Sequence, residues 1–382
     1  MSDDITDTVT EAPVKLKLGD EFNKKVTKDT LKKKLPTWTK YTFANAKKIM
    51  QKCERKGTSL RSMSVEMMRP ILVAKPCLVI GWGNSFHETL DLIKELPRDK
   101  INIVSCDRPL RKLIENGIVP DLIVNLDSGP QIRPFYKVGL PERDILKLKI
   151  ALAITTDPKE VMWFHGQKYW YIPAITPWDN ELTKETSAIL PYPVLPTAGN
   201  VGTTAVMISK ICGAGPIFLI GFDFGREVFG EHDSKATTEN LCTSKDMEIT
   251  FPSGRKFISD PVLHAYAHAF RRLLIYYDLN VVNLSGGLLH GPYIKTMEPH
   301  DTAGGNSRLR MKTLIEEIKK WEMPEKNRKF REGLLSGKLK LSNKDIYDIF
   351  FPKRKLSQEE YDNLNSEDRT IGMGVIADAA KQ

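Results

Sequence analysis

Residues 77–86 read CLVIGWGNSF, a short apolar run followed by a glycine-rich turn and a stretch with helical character. Continuous apolar runs of this length are typical of strands that are buried on both faces of a parallel sheet. Further runs follow, most of them separated by stretches that can form helices: INIVSC (101–106), DLIVNLD (121–127), LKIALAIT (148–155), YWYIPA (169–174), IFLIGFD (217–223) and VVNLS (281–285). This alternation predicts an α/β fold with a doubly wound, mostly parallel sheet of the Rossmann-like type.

The chain around this sheet divides into four predicted segments. Residues 1–26 carry few large apolar residues and are expected to be disordered, whereas residues 27–75 have the apolar spacing of helices. Residues 76–295 form the predicted Rossmann-like domain, and a helical, basic C-terminal extension follows over 296–382. Within the domain, the polar insertion 225–259 ends in a predicted hairpin, and it could form a lid at the ligand side of the sheet or a plain surface excursion.

The composition limits the classes of protein that the chain can belong to. It has 382 residues, 41% of them hydrophobic, and no apolar stretch approaches the roughly 20 residues needed to cross a bilayer. Because the chain opens with polar and acidic residues rather than a signal sequence, we expect a cytoplasmic protein without a membrane span. Five scattered cysteines argue against a disulfide framework and a zinc site.

A formal net charge of +9 suggests an anionic partner. The basic residues concentrate in the flanking stretches 24–34 and 316–344, which is typical of solvated surfaces. No RNA-binding or DNA-reading motif accompanies them, so we do not expect sequence-specific nucleic-acid binding. The sequence leaves the oligomeric state open.

The glycine turn after the first predicted strand has the geometry of a phosphate site. Gly81 and Gly83 permit a sharp bend and close approach of the backbone to a ligand. Asn84 or Ser85 can cap the next helix, whose first N–H groups then face the ligand side of the sheet. The turn lacks the third glycine of the dinucleotide-binding fingerprint, so a plain strand–helix turn is the alternative.

Acidic residues follow three of the predicted strands. Asp107 and Asp127 stand just past the second and third strands, and the carboxyl ends of parallel strands are where open α/β sheets bind ligands. Two carboxylates there could hold Mg²⁺ against phosphate groups. Each aspartate could instead cap the next helix, since Asp107 precedes Arg108 and a proline. Asp223, which ends a later strand, is a further candidate site residue.

Two later stretches repeat the pattern of a strand followed by a polar loop. TAGNVGTT (197–204) stands where a buried helix is predicted to begin, and its alternatives are a tight turn and an anion-binding loop. A second loop of this kind near the first favours the binding loop. The candidate ligand-binding residues in these two stretches are Gly199, Asn200, Thr203, Thr204, Ser285 and Gly286.

Three of these motifs together resemble one known family. CLVIGWGNSF, CDRPLRKLIENGIVPDLIVNLDSGP and TAGNVGTTAVMISKICGAGPIFLIGFDFG occur in the order and spacing of the family shared by archaeal 6-hydroxymethyl-7,8-dihydropterin diphosphokinases (MptE-like) and bacterial motility-associated-factor glycosyltransferases. The resemblance covers about residues 75–295. Family members usually read G-x-G-P-S-L-D at the first turn. Here the glycines and the serine match, whereas Asn84, Phe86 and His87 replace the proline, the leucine and the acid.

The resemblance implies a transferase that binds a nucleotide and a small-molecule acceptor. The favoured reading is transfer of diphosphate from ATP to 6-hydroxymethyl-7,8-dihydropterin, with Asp107 and Asp127 holding Mg²⁺. The second reading is a glycosyltransferase that uses a CMP-activated nonulosonic acid. A nucleotide-binding protein without catalysis is the third.

Overall fold

The structure is a computed structural model, and it describes most of the chain. The described residues are 13–174, 180–227, 247–250, 256–259, 261–289, 293–296 and 306–339. The strands are β1 (Cys77–Ile80), β2 (Asn102–Cys106), β3 (Leu122–Asn125), β4 (Lys149–Ala153), β5 (Gln167–Ala174), β6 (Val194–Pro196), β7 (Ile217–Ile220), β8 (Arg226–Glu227), β9 (Met247–Thr250), β10 (Lys256–Ser259), β11 (Val281–Asn283) and β12 (Ile294–Thr296).

Helices alternate with these strands. They are α1 (Pro13–Lys56), α2 (Arg69–Leu72), α3 (Asn84–Ile93), α4 (Leu110–Glu115), α5 (Arg133–Tyr136), α6 (Glu142–Ile145), α7 (Pro158–Trp163), α8 (Asn180–Ile189), α9 (Val201–Ile211), α10 (Pro261–Tyr276), α11 (Ser307–Lys320) and α12 (Glu325–Leu335). None of the helices in the described ranges combines the length and apolar character needed to span a bilayer.

Nine strands form one sheet in the order β12-β11-β7-β1-β2-β3-β4-β5-β6. Its neighbouring strands pair in parallel, for example Cys77 with Asn102 on one side and with Ile217 on the other. The chain winds outward from β1 to β6 and then returns through α9 to place β7 on the other side of β1. The α/β, doubly wound, parallel prediction is therefore confirmed, and the strand order reverses between β1 and β7.

Both faces of the sheet are covered, as the unbroken apolar runs of the strands require. All four residues of β1, β3 and β7 are buried. Alternate residues of β1 belong to opposite cores: Cys77 and Val79 pack with α9, and Leu78 and Ile80 pack with α3 and α11. The predicted C-terminal extension thus contributes α11 to the core of the sheet.

The N-terminal helix starts earlier than the sequence suggested. α1 begins at Pro13, so residues 13–26, for which disorder was expected, lie in a helix together with the predicted helical segment. Low apolar content suggested disorder, but leucine, lysine and glutamate are good helix formers, and the segment continues directly into a helix that packs on the domain. Residues 1–12 lie outside the described residues.

The insertion 225–259 contributes the small antiparallel sheet β8-β10-β9. The predicted hairpin is confirmed in its strands, since Met247 pairs with Ser259 in antiparallel register. Phe257 of β10 packs with Leu288, and the Ser259 hydroxyl donates to the Phe224 carbonyl at 2.7 Å. These contacts place the hairpin near the carboxyl ends of β7 and β11. The stretches 228–246 and 251–255, which would form most of a lid, lie outside the described residues.

Candidate functional site

A polar cluster lies at the carboxyl ends of β2 to β5. Asp107 follows β2, and its carboxylate accepts hydrogen bonds from the Arg108 backbone N–H at 2.8 Å and the Asn125 amide at 2.9 Å. The Asn125 side-chain oxygen accepts from the Thr156 hydroxyl at 3.1 Å, and its carbonyl accepts from the Tyr171 hydroxyl at 2.7 Å. Asn125 therefore ties together the ends of four adjacent strands around the Asp107 carboxylate.

The two predicted metal ligands come together at this cluster. Asp107 is only 3% exposed, and burial raises its pKa to about 7, with the nearby charge of Asp127 adding to the rise. Asp127 lies at the solvent-facing side of the cluster, yet the surrounding protein displaces enough water to raise its pKa as well, an effect opposed by the charge of Lys34. Two carboxylates that disfavour each other's ionisation are stabilised by a bound cation or a proton.

Neither aspartate caps a helix. The N-cap of α4 is Pro109, and the N-cap of the short turn at Pro130–Ile132 is Gly129, and neither start has a side-chain cap. The capping alternative is therefore wrong for both Asp107 and Asp127. The Asp107 carboxylate is held instead by the Arg108 backbone N–H and the Asn125 amide.

Tyr136 of α5 supplies a buried hydroxyl beside the carboxylates. Burial raises its pKa well above the usual range, and the charges of Asp107 and Asp127 raise it further. The hydroxyl lies close to the Asn125 amide but makes no hydrogen bond of normal geometry within the described part of the chain. A buried polar group without a partner costs about 1–3 kcal/mol, so Tyr136 marks a place where a polar group of a ligand would be favourable.

The donor set fits magnesium held jointly by protein and ligand. Within the described residues, no group of three or more His, Cys, Asp or Glu side chains is arranged to hold a metal ion. Mg²⁺ does not require such a group, because it usually binds one or two carboxylates together with phosphate oxygens and water. Asp107 and Asp127 are the residues that would hold it.

The loop TAGNVGTT adjoins the same cluster through Thr204. The Thr204 hydroxyl lies within hydrogen-bonding reach of the Tyr171 hydroxyl and donates to the Asn200 carbonyl at 3.1 Å. The Asn200 side chain caps α9: its oxygen accepts from the Thr203 N–H, and its amide nitrogen donates to the Thr203 hydroxyl, both at 2.8 Å. The start of α9 therefore lies next to the carboxylates, although a ligand contact by these residues stays a prediction.

The backbone of this loop is bent sharply. Ala198 and Gly199 have φ values of +46° and +72°, and positive φ is rare for alanine. A Cβ at Gly199 would lie 3.0 Å from the Tyr266 ring of α10. The loop is thus held against α10, and strain at a non-glycine residue is a feature that clusters at ligand sites.

The remaining predicted residues lie at the switch point between β1 and β7. Asp223 is buried there, and its carboxylate accepts from the Ser85 N–H at 3.1 Å, from the Ser85 hydroxyl at 2.8 Å and from the Gly286 N–H. Burial raises the pKa of Asp223 to about 6, and the hydrogen bonds from Ser85 oppose that rise. The start of α3, where the sequence suggested a phosphate, therefore already binds the protein's own carboxylate.

The two glycines of the first turn make this arrangement possible. A Cβ at Gly83 would lie 2.0 Å from an Asp223 carboxylate oxygen, and a Cβ at Gly81 would lie 2.4 Å from the Gly221 carbonyl oxygen. Their absence of side chains is thus required for contact between β1 and β7. Asn84, which is half-buried, begins α3 beside them. A ligand-binding role for Gly81, Gly83, Asn84 and Ser85 stays a prediction.

Ser285 connects the switch point to the C-terminal part of the chain. Its hydroxyl accepts from the Phe222 N–H at 2.9 Å, and its carbonyl accepts from the Arg310 guanidinium of α11. Ser285 and Gly286 therefore hold β7, β11 and α11 together around Asp223. The sequence-predicted residues thus form two groups, one at the switch point and one at the ends of β2 to β5.

Sequence reasoning missed the part of α1 that faces the group of residues at the ends of β2 to β5. The Trp38 indole N–H donates to the Ser128 hydroxyl at 3.0 Å, and the Asn45 amide donates to the Ile154 and Thr156 carbonyls at 2.9 and 2.7 Å. The spacing of the residues in the sequence could have shown this face. Polar and aromatic residues recur there at intervals of four, three and four residues, which places them on one side of a helix: Lys34, Trp38, Tyr41 and Asn45.

Fold and site together define an α/β protein with a doubly wound parallel sheet and a polar cluster at the carboxyl ends of its strands. Residues 40–228, just under half of the chain, match the family model described as 6-hydroxymethylpterin diphosphokinase MptE-like. The resemblance drawn from the motifs is confirmed. The match begins inside α1 and ends after Asp223. A diphosphokinase is a transferase, so the family supports a transferase in general.

A MAf glycosyltransferase from Magnetospirillum magneticum AMB-1 is similar in structure, with a TM-score of 0.45 and 17% sequence identity. The similarity covers 66% of this chain and 41% of that one, so this chain spans about two fifths of the length of that protein. No curated protein matches the sequence.

Proposed function

We propose that the chain is a transferase of the MptE-like type that moves diphosphate from ATP to 6-hydroxymethyl-7,8-dihydropterin with the help of Mg²⁺. The observation that carries the proposal is the pair Asp107 and Asp127, whose pKa values are both raised, beside the buried hydroxyl of Tyr136. Such a pair favours a divalent cation, and the family description supplies the reaction.

In this reaction the acceptor hydroxyl oxygen forms a bond to the β-phosphorus of ATP, the bond between the α-phosphate and the β-phosphorus breaks, and AMP leaves. Bound magnesium would neutralise charge on the phosphates. Asp127, on the solvent side, and Asp107, behind it, would position the ion. The acceptor hydroxyl loses a proton, which passes to water or to the phosphate of the departing AMP. Tyr136 can donate a hydrogen bond to a phosphate or acceptor oxygen.

The direct test supplies the purified full chain with ATP, magnesium and the reduced pterin. We expect AMP and the pterin diphosphate to form in equal amounts, measured by chromatography. Tyr136→Phe should lower turnover while leaving the fold intact, because it removes only a hydroxyl that has no hydrogen-bond partner among the described residues. Formation of AMP with no pterin diphosphate, or no consumption of ATP at all, would exclude the diphosphokinase.

One observation favours a second candidate, transfer of a sugar from a CMP-activated nonulosonic acid. Two free helix starts would suit a polyphosphate, but Asp223 already binds the start of α3, which leaves the start of α9. A single anion-binding helix start also suits a nucleotide with one phosphate.

Calorimetry separates the two candidates. For the diphosphokinase, ATP with magnesium should bind at least about tenfold more tightly than AMP, a difference of about 1.4 kcal/mol. Tight binding of CMP without binding of ATP would exclude the diphosphokinase and favour the sugar transferase.

A further inference from the structure

The exposed face of α1 nearest the carboxylates carries a lysine. Lys34 is exposed and makes no ion pair or hydrogen bond within the described residues. Its charge acts on the nearby Asp127 carboxylate, and the two side chains form no ion pair within the described residues. It also lies outside the segment that matches the family, which begins at residue 40.

Contacts on the same helix face fix the position of Lys34. Trp38, one turn later, donates to the hydroxyl of Ser128, the residue next to Asp127. Two turns further on, Asn45 donates to two carbonyls at the end of β4. Because residues four apart lie on the same helix face, Lys34 lies one turn before Trp38 on the face of α1 that contacts Ser128. A lysine that served only to neutralise Asp127 would be expected to contact it.

We propose that Lys34 binds a phosphate group of the ligand at the solvent side of Asp127, so that α1 completes the site that the sheet begins. This inference rests on the proposed function for the identity of the nucleotide, but not for the class of ligand, which is a polyphosphate bound with magnesium. Lysine suits this task, since its ammonium group is a mobile point charge that binds phosphates without fixed geometry.

The test compares Lys34→Gln with Lys33→Gln. Both positions are exposed on α1 and lose the same charge, but residue 33 is rotated about one quarter of a turn away from the face that contains Trp38. The probes are inorganic tripolyphosphate and ATP, each with magnesium, and the measurement is calorimetry on the full chain. We expect Lys34→Gln to raise both dissociation constants at least about fivefold, Lys33→Gln to change them less than twofold, and Lys34→Arg to restore most of the affinity.

The two probes separate this inference from the proposed function. If tripolyphosphate binding depends on Lys34 but ATP does not bind, the phosphate site stands and the diphosphokinase fails. If ATP binds and Lys34→Gln equals Lys33→Gln for both probes, Lys34 is not a phosphate ligand, and the proposed function is unaffected. Absence of tripolyphosphate binding to the unaltered chain also overturns the assignment of Lys34.

Discussion

At the scale of single residues, Asp107 makes the stability of the fold depend on pH. Its pKa is about 7 in the folded protein and about 4 in an unfolded chain. Between these values the folded state binds more protons than the unfolded state, so the free energy of unfolding falls as pH rises from about 4 to about 7. Each pKa unit corresponds to about 1.4 kcal/mol, and the decrease is therefore on the order of a few kcal/mol.

Asp107→Asn should flatten this dependence. The amide keeps an oxygen that can accept from the Asn125 side chain and the Arg108 backbone, but it carries no charge at any pH. Chemical denaturation at pH 5 and pH 8 measures the effect, and the fall in stability should be smaller in the variant by about 1–3 kcal/mol. Asp223 contributes a fall of the same sign in both proteins, so its contribution cancels in the comparison. Equal falls in the two proteins would show that Asp107 does not titrate in this range.

Asp127→Asn tests the other carboxylate through catalysis. Asp127 does not cap a helix, and its raised pKa shows that its charge is not stabilised by the free protein. We therefore expect stability at pH 7 to be unchanged or slightly higher, within about 1 kcal/mol, and magnesium-dependent turnover to fall at least about 100-fold. Thermal unfolding and an assay of AMP release measure the two quantities. Near-normal turnover would remove Asp127 from the site.

At the scale of secondary-structure elements, the turn between β1 and α3 is built around Asp223. Gly83→Ala should destabilise the fold, since the added carbon would overlap the Asp223 carboxylate and approach the Gly221 carbonyl oxygen at 2.9 Å. Overpacking of this kind costs typically about 1–3 kcal/mol. Gly139→Ala is the matched control, because a Cβ there has no neighbour within 4 Å. If Gly83→Ala keeps full stability but loses affinity for the nucleotide, the result would instead support the interpretation that this turn binds phosphate.

The elements differ in how far the sequence predicts them. Strands such as β1, β3 and β7 are predictable because burial on both faces leaves an unbroken apolar run. The partner of the α3 start is not predictable, since a phosphate and the Asp223 carboxylate satisfy the same N–H groups. Asp107 and Asp127 could be placed at one edge of the sheet from the sequence, but Tyr136 could not, because it reaches the cluster from a short helix after an irregular loop. The contacts of α1 likewise depend on packing between distant segments.

At the scale of the whole molecule, the C-terminal part of the chain completes the core. Leu314 of α11 is fully buried in the cluster that contains Leu78 and Ile80. Leu314→Ala should destabilise the protein by about 2–5 kcal/mol, as a buried leucine does. Leu309, which is 53% exposed on the same helix, is the control, and Leu309→Ala should change stability by less than about 0.5 kcal/mol. Urea denaturation measures both, and similar small effects would mean that α11 is a surface appendage.

The position of α11 has a consequence for synthesis on the ribosome. Leu78 and Ile80 leave the ribosome about 230 residues before α11, which begins at Ser307. At about 5–20 residues per second, the side chains of β1 that pack on α11 stay without that helix for on the order of 10–50 s. Nascent chains stalled before residue 306 should therefore recruit chaperones, and chains stalled well beyond Lys320 should release them.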